Sequence, residues 1–173
     1  MKNWDAIVAE HGPAVWATLW RLLADRADVE DCFQETFVAA IEVSRRQVVA
    51  SWPSLLCHLA TRRAMDRLRK RYREPFHERY STENDLAYEK RLSDMASTEA
   101  SPVEQAVAAE LSERLREALA RLPERQAEIF YLHALCGWSR REISERMQMT
   151  ENAIGVTLHR ARVQLQAILS GLQ

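Results

Sequence analysis

The sequence predicts an all-α protein of two small helical domains joined by a flexible polar linker. Three observations carry this. Only 4 glycines and 5 prolines occur in 173 residues, while nearly half the chain is apolar, which disfavours a many-turned β fold. Apolar residues recur at i, i+3 and i+4 over long stretches near both ends of the chain. Between residues 74 and 102 that period fails, and Ser, Thr, Asn and Glu prevail. The domains so delimited are 1–73 and 103–173, each expected to fold by itself.

Trp4, Ile7 and Val8, then Val15, Trp16, Leu19, Trp20, Leu22 and Leu23, predict two short helices broken near Gly12-Pro13. Tryptophans at helical spacing read as core rather than as a ligand cage. Asp28 is the expected N-cap of a helix reaching about Val43, with Phe33, Phe37, Ala40 and Ile41 inward. Its start collects Asp28, Glu30, Asp31, Gln34 and Glu35. Carboxylates in a first turn complement the helix dipole, and their number also makes an acidic surface open to a basic partner.

Ser51-Trp52-Pro53 opens a third helix that packs Leu55, Leu56, Leu59, Ala60, Ala64 and Leu68. Its other positions put seven cations into twelve residues: Arg62, Arg63, Arg67, Arg69, Lys70, Arg71 and Arg73, against Asp66 alone. A solvated face usually mixes its charges, because like charges at i, i+4 repel. A one-sign run of this kind leans towards a polyanion.

After the linker, Val107, Leu111, Leu115, Leu119 and Leu122 mark one face of a helix. Pro123 suits the start of the next helix, with Ile129, Phe130 and Leu132 to Leu135 on its buried side. Gly137 offers a stop, and Ser139-Arg140-Arg141-Glu142 is a capping box. Three residues past Met147, Thr150 caps a last helix that runs beyond Leu165 and carries His159, Arg160 and Arg162. A short helix, a tight turn and a longer basic helix read as a helix-turn-helix. An ordinary helical hairpin with a solvated basic face satisfies the same spacing.

Several classes are disfavoured. A formal charge of −1 gives no global basic field, so placement of charge matters more than its sum. Cys32, Cys57 and Cys136 are far apart, without metal-ligand spacing, and each reads as a small buried apolar residue. No cofactor is implied, and no paired carboxylates, nucleophile set or phosphate loop suggests an enzyme. With no secretory core and no apolar run near the ~20 residues of a membrane span, a cytoplasmic protein is expected.

Two motifs together carry a resemblance: DVEDCFQETF with its basic helix, and LPERQAEIF followed by HRAR. In this order and separation the chain resembles the extracytoplasmic-function (ECF) sigma factors of bacterial RNA polymerase, over nearly its whole length apart from the linker. The resemblance implies that Asp31, Gln34, Glu35 and Thr36 meet the clamp helices of the polymerase β′ subunit. It implies that Ala60 to Arg71, with Arg62, Arg63, Asp66, Arg69, Lys70 and Arg71, read the −10 promoter element. The helix-turn-helix then takes the −35 element, through Arg140, Arg141, Thr150, Asn152, Gly155, Val156, His159, Arg160 and Arg162. Gly155 and Thr157 stand where the family commonly has Lys and Arg, and Gln148 where it commonly has Gly at the turn. Implied partners are core polymerase, including its β flap, promoter DNA and an anti-sigma factor. Two other readings fit the residues: a stand-alone helix-turn-helix repressor, and an adaptor that binds polymerase or a regulator without touching DNA.

Overall fold

The computed structural model describes residues 3–73 and 102–171, with side chains from 106 onward in the second segment. The described residues form helices α1 (Trp4–Leu23), α2 (Arg26–Arg46), α3 (Trp52–Arg73), α4 (Pro102–Arg121), α5 (Glu124–Ala134), α6 (Arg140–Met147) and α7 (Glu151–Gly171). The linker, apart from Pro102, lies outside the described residues.

The predicted break at Gly12-Pro13 does not occur; α1 runs through both residues. Proline inside a helix costs about 3 kcal/mol through its missing N–H and its ring clash. Tertiary contact outweighs that here. Gly12 is buried and faces the Phe33 ring of α2, and α1 also packs on α3. Phe33 in turn stacks edge-on with Trp16 at 5.7 Å and tilts against Phe37 at 4.9 Å. Trp4 meets Trp52 edge-on at 5.2 Å, and both, like Trp16, pack half-buried against the core.

The N-cap of α2 is Asp25 and not Asp28: Asp25 Oδ1 accepts from the Asp28 N–H at 2.9 Å. This frees the Asp28 carboxylate for a use described below. Ser51 does open α3, its hydroxyl accepting from the Ser54 N–H. In α4 the predicted apolar face is only half used. Leu115 and Leu119 pack inward, whereas Val107 and Leu111 are about 60 % exposed (59 % and 61 %) because no other described helix covers that end.

The two domains do not stand apart. α3 packs on α4 and α5, and one apolar cluster joins Leu19, Leu23, Leu56, Met65 and Leu68 to Leu119, Leu122, Tyr131, Ala161 and Leu165. A smaller cluster of Ile129, Leu132, Trp138, Ile143, Ile154 and Leu158 holds the helix-turn-helix together.

Polar bonds to the end of α1 add direction to this packing. The last four carbonyls of a helix have no partner within it and carry the negative end of its dipole. Arg71 Nη1 donates to the Leu23 carbonyl at 2.7 Å, and Arg116 Nε of α4 donates to the Arg21 carbonyl at 3.0 Å. One turn earlier, the Tyr131 hydroxyl of α5 donates to the Thr18 carbonyl at 2.9 Å.

Candidate nucleic-acid interface

The acidic helix and the basic helix predicted from the sequence face each other. Arg63 Nη1 donates to Glu35 Oε2 at 2.7 Å. Arg67 lies 3.2 Å from Asp28, 3.5 Å from Asp31 and 3.8 Å from Glu35. Arg71 Nη2 donates to Asp28 Oδ2 at 2.8 Å. Spaced four apart, Arg63, Arg67 and Arg71 form one stripe of α3, laid against the carboxylates of α2. Their one-sign run is thus largely balanced within the molecule, which tertiary pairing alone could reveal.

The remaining cations of α3 divide again. Arg62, Lys70 and Arg73 are exposed, as is Asp66. Arg69 is 91 % buried where α3 meets the second domain: it is 9 % exposed, and its guanidinium is 3.8 Å from Asp66. In this arrangement Arg69 is covered and unavailable to DNA. On α2, Asp31, Gln34 and Glu35 are exposed. Thr36 is not: it is fully buried, its hydroxyl donating to the Cys32 carbonyl at 2.7 Å. It offers no polar atom to a partner at the surface.

The helix-turn-helix forms as its residues dictate. Ser139 and Glu142 make the reciprocal capping box, Oγ accepting from the Glu142 N–H and Oε2 from the Ser139 N–H at 2.8 Å. Gly137 takes a left-handed φ of 73°, and so does Gln148 at φ 53°, ψ 47°, turning the chain sharply out of α6. Thr150 Oγ1 accepts from the Ala153 N–H at 3.1 Å and starts α7. Ile154, Leu158, Ala161 and Leu165 are buried, which fixes the roll of α7 and turns Asn152, Val156, His159 and Arg160 outward. Arg140 crosses the bare backbone of Gly155, where a Cβ would meet its Nη1 at 3.5 Å. Arg140 thereby brings a cation to the patch where the helix itself has none. Arg141 is exposed beside Glu145 (2.9 Å). Arg162, also exposed, lines an apolar groove with Leu115, Phe130 and Leu169, away from the Asn152–Arg160 face.

Sequence reading missed the polar groups at the domain junction. His58 Nδ1 of α3 lies 3.3 Å from Glu128 Oε1 of α5, both nearly buried. Burial, then the Arg146 and Arg62 cations, lowers the His58 pKa to about 4. Burial likewise raises that of Glu128. Burial dominates both shifts, and His58 faces Glu128 as a neutral imidazole near neutral pH. The signal in the sequence was Glu128 itself, a carboxylate at an inward position of an otherwise apolar run.

Residues 7–74 match Sigma-70 region 2, and residues 112–165 match Sigma-70, region 4. The chain belongs to the sigma-70 family, the subunits that direct RNA polymerase to promoters. It is similar in fold to CnrH, solved in complex with the cytosolic domain of CnrY. The identity is 21 %, the TM-score 0.60, and the match covers 98 % of this chain and 90 % of CnrH. It is similar also to the sigma factor RpoE from Bartonella quintana, solved with the anti-sigma factor NepR. There the identity is 19 %, the TM-score 0.55, with 98 % of each chain covered. Among the described residues no helix is long and apolar enough to cross a membrane, and no cluster of side chains could hold a metal ion.

Proposed function

We propose that this chain is a sigma factor of the ECF group, carrying no chemistry of its own and dividing promoter recognition between its two domains. One observation carries the reading. The core of the helix-turn-helix locks α7 so that Asn152, His159 and Arg160 project together, with Arg140 and Arg141 flanking them. Arginines of this kind hold phosphates, while Asn and His side chains reach base edges in a major groove. This face takes the −35 element.

In the first domain, the exposed side of α2 with Asp31, Gln34 and Glu35 docks on the β′ clamp helices. The exposed cations Arg62, Lys70 and Arg73 then follow the backbone of melted −10 DNA, where bases stand free to be read. Arg69 joins them once the second domain leaves α3. Release of the covered face is therefore part of loading onto polymerase, and a partner that holds the domains together, such as an anti-sigma factor, opposes it.

Run-off transcription with core polymerase over a random promoter library tests this. A reproducible pair of enriched elements at −35 and −10 is expected, and Arg160→Ala should erase the preference at −35 alone. Binding to palindromic half-sites without polymerase would favour a stand-alone repressor instead.

A further inference from the structure

The cysteines are not the three equivalent core residues that the sequence suggests. Cys32 is buried in the first domain, whereas Cys57 and Cys136 are both half-buried. Cys57 belongs to α3, and Cys136 to the loop that follows α5, so the two come from different domains. Their side chains come together at the domain junction, both packed against the smaller apolar cluster. Both line one cavity of about 370 Å³ with Thr18, Arg21, Ser54 and Trp138, which gives a small solute a route to them.

We propose that Cys57 and Cys136 form a peroxide-driven disulfide that fastens the two domains together in the packed arrangement. The Cys136 thiolate attacks one oxygen of hydrogen peroxide; the O–O bond breaks, and hydroxide leaves to become water. Cys136 is then a sulfenic acid. The Cys57 sulfur gives up its proton and attacks the Cys136 sulfur, the S–O bond breaks, and a second water leaves. The two sulfurs lose two electrons and one peroxide gains them, so no further reductant or oxidant is needed. The surroundings suit this order of events. The neighbouring thiol and the Arg21 cation lower the Cys136 pKa, while burial raises that of Cys57. The Arg21 cation favours the Cys136 thiolate, which makes it the first nucleophile. Both thiols line the same cavity and pack against the same apolar cluster, which places them side by side at the domain junction.

The consequence for transcription rests on the sigma-factor reading; the cross-link does not. Fastened at Cys57 and Cys136, α3 stays under the second domain and Arg69 stays covered. Treatment of the full-length chain with hydrogen peroxide should convert it to a monomer lacking two hydrogens. Peptide mapping should place the link at Cys57–Cys136 and leave Cys32 as a thiol. Cys57→Ser and Cys136→Ser, made separately so that one folding defect does not decide the matter, should each abolish the link. Sulfinic acid on a lone cysteine, or links only between chains, would overturn the proposal. Core polymerase should retain the reduced chain and lose the oxidised one, with recovery in dithiothreitol and no peroxide response in either variant. Equal binding by a fully cross-linked chain would overturn the fastening. A reduced chain that never binds polymerase refutes the sigma reading, and the mapped link still decides the chemistry.

Discussion

Arg71 and Asp28 meet across 43 residues of sequence, Nη2 to Oδ2 at 2.8 Å, while the other arm of the same guanidinium caps the Leu23 carbonyl at 2.7 Å. One side chain thus ties α3 to the start of α2 and the end of α1. The two groups are each about four-fifths buried, with exposures of 23 % and 21 %.

Arg71→Ala should therefore act on stability. Losing charge-assisted bonds and stranding a partly buried carboxylate costs about 2 kcal/mol. Urea unfolding should show that loss, while Lys70→Ala, on the exposed side of α3, should leave the midpoint within ~0.5 kcal/mol. Lys70→Ala should instead reduce the salt dependence of promoter binding, by about 0.7 in slope for one contact to single-stranded DNA. A midpoint unmoved by Arg71→Ala would show that the tie is incidental.

Asp31 and Glu35 contact Arg67 and Arg63 from exposed positions, and exposed ion pairs contribute little. Reversing both to Lys should change stability by no more than ~1 kcal/mol. Co-purification with core polymerase should nevertheless be lost. Undiminished co-purification would remove α2 from the docking surface.

Gln148 occupies the left-handed region at the end of α6 without the freedom of glycine. Gln148→Gly should stabilise the chain by up to ~1 kcal/mol, read as a higher urea midpoint, because no Cβ then crowds the preceding carbonyl. A lower midpoint would mean that the turn is held by contacts of the Gln side chain.

The domain junction should respond to pH through His58. Its pKa is lowered in the packed state to about 4 from the usual 6.5, so opening takes up a proton as the pH falls through that window. Packing is then fully stable above pH 6.5 and weakens towards 4, by at most ~1.4 kcal/mol per unit. Glu128 works in the opposite sense: its raised pKa favours packing at low pH and loses that contribution as the pH rises. Glu128→Gln isolates the histidine, with Arg62 and Arg146 still facing it. Urea midpoints of this variant should fall between pH 7 and 5, and adding His58→Gln should abolish the fall.

Much of this protein is decided locally and could be read from the chain. The capping box at Ser139, the cap at Thr150 and the period of Ile154, Leu158 and Leu165 specify the helix-turn-helix within a few residues of sequence. Tertiary structure decided what distant segments do to one another. The Gly12-Pro13 break disappears because α1 packs on both α2 and α3. The basic run of α3 splits into a paired stripe, an exposed edge and a covered Arg69 because α2 and the second domain approach from different sides. Thr36 turns inward, and Cys57 meets Cys136 across 79 positions, for the same reason. Periodicity records which side of a helix is apolar, and the partner of each polar side chain depends on contacts between segments whose separation in sequence leaves no local pattern.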